Sequence, residues 1–597
     1  MRIIKLFLVL LAATAVSACL RHEGFQVVPA ARASDEPKTY FIAAANPYAV
    51  DAGAAVLERG GAAVDAAIAV QAVLGLVEPQ SSGFGGGAFM LHYDPQEGTL
   101  ETYDGREAAP ASATPDRFLT ETGEPMQFYD AVVGGLSVGV PGVVRMLERA
   151  HDEHGSMQWS ELLKPALTLA EDGFVVSPRL HGLLERIPRL QQLPTAAAYF
   201  YGEDGAPRPV GSVLENSDYA HTLRILSKKG PGAFYKGEIA EAIVEAVNGG
   251  PNPGGMTLKD LADYRPVKRA PVCAPYRGYE ICSMAPPSSG GVTLLQILQL
   301  LEPFDMAGAG AGSVEALHLL FEASRLAYAD RNQYLADQDK AAEAGGLTQE
   351  EVISGLLNPA YLADRAKLID RVEAADEVSA GDPSSYAVDE NARPGAWRGL
   401  APDASPEPPS TSHFVIVDGE GRVVSMTTTV EFAFGSHLMT GGMILNNQLT
   451  DFSFLPERDG VPVANAVGPG KRPRSSMSPV IVFDQNGDVW AALGSPGGPA
   501  IIGYVVKTLI ALIDWGMPMQ AAIDAPNAVY PRGEPLLEEG GFDDQIIAGL
   551  HARGHDVSVR GLTSGLHGFR RAADGSYDGG ADPRREGVWR VGRVEED

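Results

Sequence analysis

Apolar positions in this chain fall into helical stretches, short strands and one long gap. Over residues 49–76 small apolar side chains recur at helical spacing and break only at Gly60-Gly61, which predicts two helices joined by a turn. Gly83-Phe84-Gly85-Gly86-Gly87 interrupts that pattern, and 88–93, with Phe89, Met90 and Leu91, reads as a buried strand. Residues 160–171, 219–228 and 237–247 are amphipathic at helical period, and 313–335 predicts one long helix. From 373 to 410 Pro, Asp, Ala and Ser replace apolar residues, the composition of a mobile segment. Directly after it, 411–417 and 422–429 read as two strands around Asp418-Gly419-Glu420-Gly421. If 419–421 form the loop, 418 pairs with 422 and Thr411 lies opposite Thr429. A two-residue loop would place Thr428 there instead.

The chain has 597 residues, 47 basic and 76 acidic, for a formal net charge of −29. That length suits several domains or one large α/β body, the 45% hydrophobic and 21% charged content are those of an ordinary globular protein, and no internal repeat is visible. So acidic a chain would be repelled by a phosphate backbone, which argues against nucleic acid as a partner. At the N-terminus Arg2 and Lys5 precede an apolar run, 6–16, that is too short for a bilayer span and reads as an export signal. Ser17-Ala18 before Cys19 resembles a bacterial lipoprotein cleavage site, with 1–18 removed and Cys19 lipid-modified; cleavage to a free secreted protein is the alternative. Residues 19–42 then form a tether. The expected location is the periplasm or an outer-membrane anchor if the source is bacterial, and otherwise the exterior.

Only three cysteines occur, which disfavours thiolate metal sites. A two-residue turn at Arg277-Gly278 would pair 276 with 279 and hence Cys273 with Cys282, permitting a cross-strand disulfide in an oxidising compartment. Two buried free thiols are the alternative.

Three motifs carry little. Gly135-Leu136-Ser137-Val138-Gly139 matches a serine-hydrolase elbow, but a short glycine-rich lead-in favours a plain turn. Gly83, Gly85 and Ala88 fit a loose dinucleotide fingerprint that lacks its preceding strand. His151-Asp152-Glu153-His154 could supply metal ligands, yet a solvated helix end explains it better.

A larger set of motifs runs in one order. It comprises Gln80-Ser81-Ser82-Gly83-Phe84-Gly85-Gly86-Gly87, Asp104-Gly105-Arg106-Glu107, Pro286-Pro287-Ser288-Ser289-Gly290-Gly291, Tyr328-Ala329-Asp330-Arg331, Thr411-Ser412-His413, Leu445-Asn446-Asn447-Gln448, Arg474-Ser475-Ser476-Met477-Ser478-Pro479, Gly494-Ser495-Pro496-Gly497-Gly498 and Asp582-Pro583-Arg584-Arg585-Glu586-Gly587. At these residues, over 43–587, the chain resembles the γ-glutamyltranspeptidase family of N-terminal-nucleophile hydrolases.

That resemblance implies an α+β, four-layer αββα sandwich built by two chains after self-cleavage. The cut would fall between Ser410 and Thr411, giving a large subunit, 43–410, and a small one, 411–597, that stay together as a heterodimer. Thr411 would be the nucleophile, its freed α-amine the base and Thr429 a hydroxyl partner. The N–H groups of Gly497 and Gly498 would face the oxyanion. Arg106, Ser475 and Ser476 would hold the α-carboxylate of a γ-glutamyl donor, and Gln448 and Asp451 its ammonium. A salt bridge to Glu107 or a neighbour is the structural alternative for Arg106. No metal or organic cofactor is implied. The acyl group would pass from a glutathione-like donor to water or to an amino-acid or peptide amine.

Two departures stand out. Glu431 occupies a position where well-studied members have an ammonium-contacting asparagine, and 454–464 is a short lid segment without the usual tyrosine. The competing readings are a glutaryl-amide acylase of the cephalosporin type on the same fold, a non-catalytic surface lipoprotein, and a serine hydrolase acting through Ser137.

Overall fold

The computed structural model describes residues 38–595 except 387–393, 404, 406–409 and 532. The export signal, Cys19, the tether up to 37 and the excepted parts of 373–410 lie outside the described residues.

Thirteen strands form the two main sheets: β1 (Thr39–Ala44), β2 (Gly87–Asp94), β3 (Thr99–Asp104), β4 (Val267–Arg269), β5 (Val272–Tyr276), β6 (Tyr279–Ser283), β7 (Ser412–Val417), β8 (Val423–Thr429), β9 (Val480–Phe483), β10 (Val489–Gly494), β11 (His567–Arg571), β12 (Tyr577–Ala581) and β13 (Val588–Arg593). One sheet has the order β13-β1-β7-β8-β2-β3-β4 and the other β12-β11-β10-β9-β6-β5, with antiparallel pairing throughout both. Each sheet mixes strands from before residue 410 with strands from after it, so neither part could complete a sheet alone.

The layers follow from strand alternation. Phe414 and Ile416 point to a core shared with the helices Pro47–Glu58 and Ala63–Val77, while Val415 and Val417 point into the space between the sheets beside Ile481, Ala491 and Phe569. Beyond the second sheet the helices Gly290–Leu301, Val314–Tyr334 and Ala500–Ile513 close the body, giving helix, sheet, sheet, helix. This is the expected αββα sandwich.

The expected turn at Gly60-Gly61 separates the first two helices, and Ser313 caps the long one by accepting from the Ala316 N–H. The single helix expected over 160–171 is instead two, Trp159–Leu162 and Lys164–Asp172. Pro165 explains the break, because its ring excludes the hydrogen bond and space that a continuous helix needs. Of the segment 373–410, the Ala374 N–H donates to the Arg553 carbonyl at 2.6 Å, and Trp397 is buried against Tyr334.

The hairpin β5-β6 settles the cysteines. Arg277 (φ 51°) and Gly278 (φ 84°) both lie in the left-handed region, the requirement of a two-residue type I′ turn. Tyr276 pairs with Tyr279, and a disulfide joins Cys273 to Cys282.

Candidate active site

Between β7 and β8 the Asp418 N–H donates to the Arg422 carbonyl at 3.0 Å, so the loop is 419–421, with Gly421 at φ 82°. The Asp418 carboxylate fixes this turn by accepting from the Glu420 and Arg422 N–H groups, and its other oxygen accepts from the Ala63 N–H at the start of a helix. Val423 pairs with Val417 and Thr428 with Ser412. That register sets Thr411 across from Thr429, the first of the two expected alternatives.

Their hydroxyls meet. Thr411 Oγ1 donates to Thr429 Oγ1 at 3.2 Å, and Thr429 Oγ1 donates to the Ser410 carbonyl at 2.9 Å while accepting from the Glu431 N–H at 2.8 Å. Thr411 Oγ1 also contacts the Ser410 carbonyl oxygen directly. Ser410 itself is buried, its hydroxyl donating to the Gln80 carbonyl at 2.6 Å. The glycines after Gln80 permit close approach. A Cβ on Gly86 would lie 2.0 Å from the Thr429 carbonyl oxygen, and one on Gly85 2.1 Å from that of Ile444.

A pocket of ≈ 270 Å³, solvent mouth included, opens on these hydroxyls. Its lining includes Arg106, Ser410, Thr411, Thr429, Glu431, Gln448, Asp451, Ser475, Ser476 and Gly498. Nearly every residue expected at the site is therefore present. Gly497 completes the set one residue along, at φ 137°, before the helix Ala500–Ile513. Neither the Gly497 nor the Gly498 N–H has a protein acceptor among the described residues, so both remain available at a helix N-terminus, where negative charge is favoured.

Arg106 is buried and strongly held. Its Nη2 donates to Asp451 Oδ2 at 2.5 Å and to the Arg474 carbonyl at 2.7 Å, and Nε donates to the Pro473 carbonyl at 3.1 Å. Glu107 sits 3.9 Å from Nη1. Burial pushes the Glu107 carboxyl up to about 8, against the pull of Arg106, and neither of its oxygens has a hydrogen-bond partner. Gln448 Nε2 donates to Asp451 at 2.6 Å. Glu431, at φ 79°, accepts from the Asn447 side-chain amide; a left-handed glutamate is a strained choice of the kind that collects at functional sites. The lid segment is a small hairpin, Glu457–Arg458 with Val461–Pro462.

Four residues matter more than the sequence indicated. Arg331 donates to the Ser476 hydroxyl at 2.7 Å and to that of Ser289 at 2.9 Å, steadying the predicted carboxylate site from the long helix. Asn446 and Asn447 tie the Gln448 loop to Gly139 and to Phe432. Arg585 donates to the Thr411 carbonyl at 2.8 Å. Arg331 and Arg585 belong to the motifs at 328–331 and 582–587, but nothing in one sequence fixes their partners.

The weaker motifs resolve differently. Ser137 lies on a short helical turn, buried, its hydroxyl donating to the Val132 and Gly134 carbonyls, and no histidine bonds to it among the described residues. His151 and His154 are not the solvated helix end expected from their charged surroundings. His151 Nε2 contacts the Met157 carbonyl at 2.8 Å, and His154 Nε2 lies 2.7 Å from Glu101 and stacks on His92. His154 packs on the sheet and His151 on the Met157 loop, while Asp152 and Glu153 between them stay exposed at the helix end as expected. The trio His92, Glu101 and His154 has metal-ligand spacing, yet the Lys268 ammonium already contacts Glu101 and lies 2.8 Å from Glu153.

An αββα body with a threonine at the head of a central strand, its hydroxyl against the preceding carbonyl, defines an N-terminal-nucleophile hydrolase. Within that class the match is specific: residues 49–591 fit the γ-glutamyltranspeptidase family, and the chain belongs to it. It is 36% identical to the glutathione hydrolase proenzyme of Bacillus subtilis (strain 168), covering 93% of this chain and 92% of that protein. It is 37% identical to that of Escherichia coli (strain K12), covering 92% and 90%. Among solved structures, cephalosporin acylase from Bacillus halodurans superposes with a TM-score of 0.78 at 25% identity, over 96% of this chain and 98% of that one. No helix among the described residues is long and apolar enough to cross a membrane.

Proposed function

We propose that this protein is a self-processing γ-glutamyl transferase and hydrolase that cleaves glutathione-like amides through a γ-glutamyl ester on Thr411. The observation that carries this reading is the buried Arg106–Asp451 ion pair lining the pocket beside Thr411. An amino-acid head is itself a carboxylate and an ammonium. On binding, its carboxylate takes Arg106 and its ammonium takes Asp451, with Glu431 and Gln448 nearby, so each buried charge exchanges one partner for another. A glutaryl group lacks the ammonium; it would occupy Arg106 and offer Asp451 no cation in exchange.

Maturation comes first. Thr411 Oγ attacks the Ser410 carbonyl carbon and its proton passes to the leaving nitrogen, so the amide becomes an ester with a free α-amine. Thr429 donates to the oxygen that gains charge. Water then hydrolyses the ester, and the chain is cut between Ser410 and Thr411. The two products, 411–597 and the part ending at 410, stay together because both sheets draw strands from each.

In turnover the α-amine accepts the Thr411 hydroxyl proton as Oγ bonds to the donor's γ-carbonyl carbon. The amide N–H groups of Gly497 and Gly498 take the developing oxyanion. Collapse breaks the C–N bond, the departing amine leaves with the proton, and water or an acceptor amine later releases the acyl group by the reverse steps. Ser475 and Ser476 donate to the substrate carboxylate, with Arg331 fixing Ser476. Export, followed by lipid attachment at Cys19, belongs to the same reading and rests on the N-terminal pattern alone.

The acylase reading draws support from the resemblance to cephalosporin acylase and to acylase proenzymes that are 33–34% identical to this chain. Comparing matched γ-glutamyl and glutaryl anilides discriminates the two. A kcat/KM at least ~10-fold in favour of γ-glutamyl is expected, and a preference for glutaryl overturns the substrate assignment.

A further inference from the structure

The buried guanidinium of Arg585 touches the main chain of Thr411 itself. Arg585, just beyond β12, is 9% exposed; its Nη1 donates to the Thr411 carbonyl oxygen at 2.8 Å and its Nε to the Ser564 carbonyl at 3.0 Å. Room for it depends on Gly565, where a Cβ would lie 2.7 Å from the Arg585 Cδ. No carboxylate lies within 4 Å of this guanidinium among the described residues, so it is held by carbonyl oxygens alone. A buried cation so placed acts on whatever charge forms at Thr411.

Building on the reading of Thr411 as an N-terminal nucleophile, we propose that Arg585 is a positioning residue that fixes the Thr411 main chain and keeps its freed α-amine unprotonated at neutral pH. An ordinary α-amine has a pKa of about 7.7–8.0, so at pH 7 most of it would be ammonium and unable to accept the hydroxyl proton. A cation on the carbonyl of the same residue disfavours that second positive charge. The proton balance of the reaction is unchanged, since the amine receives the Oγ proton and returns it to the leaving group.

The surrounding charges set the size of the effect. Behind Arg585 stand Arg179, Glu78, Asp582 and Tyr504, with Glu586 accepting from the Arg179 N–H. Glu78 lies 3.6 Å from Arg179 and burial raises its pKa, so it offsets Arg179 before it offsets Arg585. On the strand itself burial holds His413 neutral, as it does His567 beside it, whose pKa falls to about 4. On the pocket side Asp451 and Glu431 pull the other way, but Arg106 and the Asn447 amide engage them.

The test uses the full-length protein and its Arg585→Met and Arg585→Lys variants, each checked for cleavage by intact mass. kcat/KM for a γ-glutamyl anilide is then followed against pH. The proposal expects the acid limb of Arg585→Met to move up by roughly one to two pH units, with rates converging toward wild type at high pH, and Arg585→Lys to restore most of the shift. A loss equal at every pH, with the limb in place, overturns it and leaves Arg585 a packing residue. Failure of both variants to cleave while wild type does also overturns it, moving Arg585 to maturation. An uncut wild-type chain removes the underlying reading of Thr411 itself, so the two failures are distinguishable.

Discussion

Thr429 Oγ1 lies 2.9 Å from the Ser410 carbonyl oxygen and 3.2 Å from Thr411 Oγ1, so a single hydroxyl touches both the bond to be cut and the atom that cuts it. The Glu431 N–H donates to the same oxygen, which leaves the Thr429 proton free to point at the carbonyl. Thr429→Val removes that donor with little change in shape. Self-cleavage, followed as fragment against time, is expected to slow by about 10²-fold or more, and Thr429→Ser to retain most of the rate.

Arg106 binds through geometry as much as charge, because its fork also satisfies the Pro473 and Arg474 carbonyls. Arg106→Lys keeps the charge and loses the fork. Steady-state kinetics should show KM for γ-glutamyl donors rising by roughly 10²-fold, with a smaller fall in kcat.

Glu107 gives the fold a pH dependence of definite sign. Burial raises its pKa to about 8, so between the ordinary carboxylate value of 4.5 and about 8 the folded state binds more protons than the unfolded state. Its contribution to stability is therefore present below that window and declines as pH rises through it. Thermal unfolding of Glu107→Gln at pH 5 and pH 8 should show a smaller drop in Tm between the two than wild type shows.

The Cys273–Cys282 disulfide closes a short hairpin loop that the turn already organises. In the chain-entropy account a loop of this length is worth about 2–3 kcal/mol. Replacing both cysteines by serine should lower the denaturation midpoint while leaving kcat/KM within about 2-fold, since neither residue lines the pocket.

How much of this was legible in the sequence depended on how local its cause was. The partner of Thr411 could be narrowed to Thr429 or Thr428 from a glycine-bearing turn, and Cys273 could be set opposite Cys282 from Arg277-Gly278, because each hairpin is fixed by residues a few positions apart; the loop length and the disulfide bond itself came from the structure. The pocket residues came from motif resemblance, not from periodicity. Arg585 and Arg331 were opaque because their partners lie 174 and 145 residues away, where only the folded sheets bring them together. His154 misled for the same reason: its neighbours in sequence are charged, whereas Glu101 and His92 meet it across the sheet. Ser137 had the spacing of an elbow and none of its surroundings.

Catalysis by Thr411 requires that it become an N-terminal residue by its own chemistry. A denaturing intact-mass spectrum of the purified protein beside Thr411→Ala tests it most directly. A fragment of residues 411–597 beginning at Thr411 is expected in the wild type and none in the variant. A single uncut chain in both, or the same cut in both, would contradict it.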